Sequence, residues 1–433
     1  MRVIVKSKDG ETALAERPEM LAANPLSRFV RAGLTLFILV LLVPLNASAA
    51  DLIVRGETVH TMSGAPITDG VVVIRNGKIT AVGASSAIVI PPGVRTINAK
   101  VVTPGLVDAH SVIGLAGYLN QTSDQGQLEK SAPIQPDLRA IDGYDTEEPL
   151  IAWVRGFGVT TLHTGHGPGA LISGQTMVVK TRGRTVDDAV LRPVAMVAAT
   201  LGESALAESG KSPGTRAKEI SMLRTELIKA QQYQKKLSTA AEDKKPGRDL
   251  NLDVLASVLN RELPLLITVN RAQDIMSALR LAKEFNLKIV LDGVAEAYLV
   301  ADAIKLAAVQ VILHPTMARA GGERENLSFE TASVLRAKGI PFALQSGYEG
   351  YVPKTRVVLF EAGVAAAHGL TFEQALATIT IDAARIIGVG DRVGSLEVGK
   401  DGDLALFDGD PFEFTSHTTA VVIDGEVVSD KPK

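Results

Sequence analysis

The chain has no cysteine. Disulfides, thiolate nucleophiles and thiolate metal ligands are therefore excluded, and any metal site would have to rest on imidazole and carboxylate. Aromatic residues are scarce, at 4% with a single tryptophan, and the formal net charge is −3 with no stripe of basic residues. Nothing in that pattern suits nucleic acid, so a small-molecule ligand is the expected partner; a homo-oligomer is compatible with it. An apolar run from Ala32 to Val43, preceded by Arg28 and Arg31, is too short for the ~20 residues of a membrane-spanning helix. Pro44 and then Ala47-Ser48-Ala49-Ala50 follow it, the pattern of a signal-peptide core and its cleavage site. Residues 1–50 are thus expected to be a signal peptide, with Met20 as an alternative start. The mature chain would be exported to the periplasm without a stable membrane span, or anchored to the membrane if the signal stayed uncleaved.

What is present points to an α/β protein. The 433 residues include 39 glycines and are 46% hydrophobic, enough for a large core with many tight turns. Both ends of the mature chain are β-rich. Asn76-Gly77 and Asp424-Gly425, each between apolar runs, are hairpin signals because both residues of each pair tolerate positive φ. The two ends, 51–102 and 395–433, are expected to pair into one composite β domain.

Between them strand-like runs alternate with helical patterns, which predicts parallel β-α units. Candidate inner strands are Gly158 to His163, Pro193 to Ala198, Pro264 to Val269, Lys288 to Leu291, Gln310 to His314 and Ile340 to Leu344. Ala272 to Phe285 has helical spacing, and Thr371 with Gln374 forms a capping box before a helix expected to run to about Gly388. Near 202–249, Ile220, Leu223, Leu227 and Leu237 mark the apolar face of a peripheral helix, followed by a charged loop from Ser238 to Arg248.

The stretch Val101 to Gly114 opens this middle region. It reads Val-Val-Thr-Pro-Gly-Leu-Val-Asp-Ala-His-Ser-Val-Ile-Gly and resembles the opening strand of the amidohydrolase superfamily, Pro-Gly-x-x-Asp-x-His-x-His. Thr371 to Pro411 resembles the same superfamily's closing signature, most of all in its imidazolonepropionase and exported-prolidase branch. The resemblance implies a (β/α)8 TIM-like barrel over 103–394 beside a composite β-sandwich, and hydrolysis of a carbon–nitrogen bond by metal-activated water.

The metal positions depart from that pattern. Val112 stands where the second histidine of the opening strand belongs, and Thr268 and Asn270 take the histidine places of a later strand. Leu291-Asp292-Gly293 replaces Glu-His-Gly, and Ser346 is followed by Gly347 instead of the aspartate. Of the usual ligands only His110 remains.

An atypical metal set would be His110, His163 and His314, holding a divalent ion such as zinc; the other expectation is that no conventional metal site exists. His110, Asp292 and Glu349 are the candidate catalytic residues. His166, Arg319, Arg324, Gln345 and Tyr348 are the candidate substrate-binding residues, with the arginines suited to grip a carboxylate. Two functions stay open: a hydrolase with a degenerate site, and a catalytically inactive ligand-binding or scaffold protein.

Overall fold

A computed structural model describes residues 51–90, 92–119, 121–207, 210–348 and 356–433. The expected signal peptide and the alternative start at Met20 lie outside the described residues, as does Glu349.

The two hairpins form where their turn residues place them. Asn76 and Gly77 have φ of 49° and 76°, and reverse the chain between strands Ile67–Arg75 and Lys78–Ala84. Asp424 and Gly425, at 51° and 76°, do the same between Thr418–Ile423 and Glu426–Ser429. The ends of the chain then join, because Leu404–Phe407 pairs antiparallel with Arg95–Pro104, setting Leu406 opposite Val102. The result is one mixed sheet of seven strands drawn from both expected β-rich segments. Alternate residues Leu52, Val54, Val72, Ile74, Leu404 and Leu406 bury one face of it, while Ile53, Val71 and Val73 bury the other.

The middle region holds two further sheets. In the first, Val197–Thr200, Leu265–Val269, Ile289–Gly293, Gln310–Leu313 and Phe342–Leu344 run parallel in that order, with Ile172–Gln175 antiparallel at the edge. Their near-continuous apolar sequences are those of strands covered on both faces. In the second, Leu106–Ser111 lies parallel to Val159–Thr164, followed by the antiparallel strands Met177–Lys180 and Val190–Arg192. The two sheets approach each other at a parallel bridge between Ser111 and Gly347, and where Thr176 exchanges main-chain hydrogen bonds with Ala195 and Met196.

The strand expected at Pro193 to Ala198 begins later, at Val197, and the short antiparallel strands 172–175, 177–180 and 190–192 had no signal strong enough to separate them from loop.

Helix Ala272–Phe285 spans the expected residues, closed by Asn286 in the left-handed region. The capping box of Thr371 and Gln374 is formed. The helix it starts does not reach Gly388, however: it ends at Thr378 and a second begins at Ile381. The break falls where the Thr378 and Thr380 hydroxyls bond back to the Ala375 and Leu376 carbonyls, each at 2.6 Å. Such side-chain bonds compete with the helical ladder. The peripheral helix is Arg216–Thr239, whose Leu223, Leu227, Ala230 and Tyr233 are buried, partly against helix Leu250–Leu259.

Candidate active site

The opening strand Leu106–Ser111 is buried along its whole length, and two of its three polar side chains, Asp108 and His110, are each claimed by another strand end. Asp108 accepts the Ser346 main-chain N–H at 2.9 Å and also the Ser346 hydroxyl. Burial pushes the Asp108 carboxyl up to about 6, with the Ser346 bonds and His110 working the other way. This pair fastens the opening strand to the turn after Phe342–Leu344, beside the Ser111 and Gly347 bridge.

His110 points its Nδ1–H at Asp292 Oδ1, at 3.1 Å. Asp292 collects two more donors: Thr268 Oγ1 donates to Oδ2 at 2.6 Å, and Gln345 Nε2 donates to Oδ1 at 2.8 Å. The parallel ladder arranges this, since Thr268 and Asp292 are paired neighbours in register. For His110, burial opposes the charged imidazole, but the charge and hydrogen bond of Asp292, helped by Asp108, outweigh it, so its pKa is raised. For Asp292, burial likewise opposes the charge, and His110, Thr268 and Gln345 bring the carboxyl below its ordinary range.

These groups open on a cavity of about 310 Å³, lined among others by Val112, Asn270, His314, Arg324 and Tyr348. His314 is buried and donates Nδ1–H to the Pro315 carbonyl at 2.8 Å. Tyr348 accepts from Gln127 Nε2 at 3.3 Å. His110 Nε2, His314 Nε2 and Asn270 Oδ1 are buried without a hydrogen-bond partner. The arrangement can take a proton at His110 Nε2 while Asp292 holds the ring's other nitrogen, a base-and-orienter geometry.

Of the expected site residues, His110, Asp292, His314, Arg324, Gln345 and Tyr348 share this cavity. Three others do not. His163 spends both nitrogens inside the protein: Nδ1–H donates to the Ala109 carbonyl at 2.6 Å, and Thr176 Oγ1 donates to Nε2 at 2.7 Å. Burial, with the charge of His110, depresses its pKa to about 3, so it is a neutral structural residue with no lone pair left for a metal. His166 is buried beside Gly174, where a Cβ would come within 2.4 Å of its Nε2, and it does not line the cavity. Arg319 is exposed and also outside the lining.

Thr268 and Asn270 entered the sequence reading only as missing histidines; here Thr268 holds Asp292 and Asn270 faces the cavity. Ser204, from the loop before the peripheral helix, lines the cavity with no sequence signal at all.

The residues present do not fit the metal centre that the family resemblance implies. Val112 offers only methyl groups, the Thr268 hydroxyl and the Gln345 amide N–H donate to Asp292, and both His163 nitrogens are hydrogen-bonded inside the protein. Among the described residues no three His, Asp or Glu side chains converge as a metal site would need.

Comparison with known proteins gives a consistent picture. The profile of the Amidohydrolase family matches residues 300–429. An imidazolonepropionase from Rhizobium rhizogenes is 26% identical over 364 residues, covering 79% of this chain and 87% of that protein. One from Fusobacterium nucleatum is 25% identical over 411 residues, covering 84% and 92%. The crystal structure of an amidohydrolase from Thermotoga maritima superposes with a TM-score of 0.83 at 29% identity, over 88% of this chain and all of that one. These matches, together with the opening strand and the closing signature, support the amidohydrolase superfamily.

Proposed function

We propose that the protein is a hydrolase that opens a carbon–nitrogen bond in a small cyclic amide, with water activated by His110 and Asp292 in place of a metal ion. The observation that carries this reading is the buried His110–Asp292 pair on the cavity wall, whose Nε2 has no hydrogen-bond partner while Thr268 and Gln345 fix the carboxylate. The imidazolonepropionase relatives support a ring amide as the bond attacked.

In this mechanism neutral His110 takes a proton from water at Nε2 as the water oxygen bonds to the carbonyl carbon. The carbonyl π pair moves to its oxygen. On collapse the C–N bond breaks, and His110 passes the proton to the leaving nitrogen, giving a carboxylic acid and an amine. Asp292 keeps Nδ1–H in place and stabilises the imidazolium that forms in between, as the acid of a catalytic triad does. Arg324 and Tyr348, both at the cavity, are the side chains placed to orient the substrate.

We further read the two middle sheets as arcs of one (β/α)8 barrel. The contacts at Ser111–Gly347 and at Thr176 with Ala195 and Met196 support it, because they join the sheets on both sides. A barrel of this kind carries its site at the C-terminal strand ends, where His110, Asp292 and Gln345 stand. Export to the periplasm, suggested by residues 1–50, is part of the same proposal. Among the described residues no helix is long and apolar enough to cross a membrane.

The test is turnover of a panel of lactams, hydantoins and imidazolones by the purified protein and by His110→Ala. Ring opening that falls about 10²–10⁴-fold in the variant is the expected result. If folded protein binds members of the panel but turns none over, the ligand-binding alternative takes its place.

A further inference from the structure

A second concave site lies at the other end of the strands that lead to the cavity. Strands Ile289–Gly293 and Gln310–Leu313 carry Asp292 and then His314 to the cavity at their C-terminal ends. Their opposite ends, at Ile289 and Val309, belong to a separate groove of about 580 Å³ between helices Ala272–Phe285 and Ala301–Ala307. The groove has an apolar floor of Met276, Leu279, Ile289, Ala303 and Val309, and Leu306 stands beside it 88% exposed. Four cations line it, Arg261, Arg280, Lys283 and Lys288, and among the described residues no carboxylate does.

The acids beside those cations in sequence, or on the same helices, turn elsewhere. Glu284 pairs with Arg224, Asp302 pairs with Lys338, and Glu262 accepts from Asn260 Nδ2. Arg261 Nη1 donates to the Asn286 carbonyl and to Asn286 Oδ1, and Arg280 Nη2 donates to Ser277 Oγ. Among the described residues none of the four cations is in an ion pair. Helix C-termini at Asn286 and Ala308 face the groove and explain part of this charge, since each is equivalent to about half a negative charge. Together they offset about one cation of the four. The backbone adds a second sign: Arg261, Asn286 and Ala308 have φ of 64°, 54° and 52°, three of the eight non-glycine residues at positive φ in the described chain. Each follows a helix end, where glycine is the usual residue and avoids the strain, and each instead brings a side chain to the groove wall.

We propose that this groove is a second ligand site, for an unbranched alkyl carboxylate of the fatty-acid type. The arginines and lysines hold its carboxylate, and its chain lies along the apolar floor. Charge complementarity sets the sign of the head group, the floor demands an apolar body, and grooves of this volume take single small molecules. A bilayer is flat and would touch Leu306 while leaving the concave floor in water. The site is independent of the reaction proposed at His110.

Calorimetric titration of the full protein with hexanoate, octanoate and decanoate, each below its micelle concentration, tests this, with octanol and octylammonium as uncharged and cationic counterparts. One carboxylate per chain should bind, about two- to fourfold tighter for each added methylene. Octanol and octylammonium should bind at least about tenfold more weakly than octanoate. Lys283→Glu/Lys288→Glu, with folding checked by circular dichroism, should weaken octanoate at least about tenfold. The milder Lys283→Gln/Lys288→Gln should act in the same direction, and Arg324→Gln, in the cavity at His110, should leave octanoate binding unchanged.

No saturable binding, equal affinity for octanoate and octanol, or binding that survives both lysine double variants and disappears in Arg324→Gln overturns the proposal. So does binding to vesicles of anionic phospholipid without binding of free octanoate, or a dimer that Leu306→Asp dissociates, since each gives the groove a different occupant.

Discussion

At the scale of single residues, the proposed chemistry turns on how His110 divides its two nitrogens: Nδ1–H is held by Asp292 and Nε2 has no hydrogen-bond partner. Removing the charge while keeping the shape isolates that division. Asp292→Asn should lower kcat/KM by about 10²–10⁴-fold. It should also move the acid limb of the pH–rate profile to lower pH, because Asp292 is what raises the His110 pKa. In the unaltered protein the limb should lie above the 6.5 of an ordinary histidine, since only neutral His110 can accept the proton. Stability runs the opposite way. The His110 contribution is complete below the ordinary histidine value and is lost as pH rises through the raised pKa, while that of Asp292 is present above 3.8 and lost as pH falls through the lowered one. Melting temperature against pH, compared between the protein and Asp292→Asn, checks both signs.

His110 was legible in the sequence because its Pro-Gly-x-x-Asp-x-His setting is distinctive. The tie from Thr268 to Asp292 was not, because it depends on the register of two strands 24 residues apart in the chain. His163 was correctly placed at a strand end, but its ring is held by Thr176, the residue between strands Ile172–Gln175 and Met177–Lys180, which no spacing rule reports.

At the scale of elements, the turns and the long amphipathic helix were readable because their signals are local. Asn76-Gly77 and Ala272–Phe285 depend on residues within one turn or one helix. The turns also meet in space, and a Cβ on Gly77 would come within 3.1 Å of the Asp424 carbonyl oxygen. Gly77→Val combines that contact with a φ of 76° and should destabilise by about 1–3 kcal/mol in denaturant unfolding. Leu227 is buried at 3% exposure on the peripheral helix. Leu227→Ala should therefore cost about 2–5 kcal/mol by the same measurement, whereas a helix acting as a loosely seated lid would lose much less. The early end of the helix at Thr378 was hidden because helical periodicity continues across it; the two threonines decide the break through bonds to their own preceding turn.

At the scale of the whole molecule, a buried cation helps join the sheet built from both chain ends to the middle region. Lys180, on strand Met177–Lys180, reaches Asp401 at 2.8 Å, Asp403 at 3.0 Å and also Asp424. Lys78 and Arg392 share Asp401. Burial opposes the Lys180 charge, yet the three carboxylates raise its pKa. Burial pushes Asp403 up to about 6 even with the lysine present. Lys180→Met would strand these carboxylates and should cost about 3–5 kcal/mol at neutral pH. The loss should be partly recovered below pH 6 as the carboxylates take up protons, read as melting temperature across pH. The acidic half of this seam lay within the closing signature Gly-Lys-Asp-Gly-Asp, so the family pattern was visible in sequence while its partner lysine, more than 200 residues earlier, was not.

A comparable distance in sequence separates His110 from Gln345 and hides the central feature of the proposed site, a buried His110–Asp292 pair acting without a metal ion. Metal content measured alongside ring-opening activity tests that claim most directly. Protein purified without chelator should hydrolyse its substrate with far less than one transition-metal ion per chain, at a rate unchanged by dialysis against chelator. One tightly held ion per chain, whose removal abolishes turnover and whose return restores it, would contradict the account.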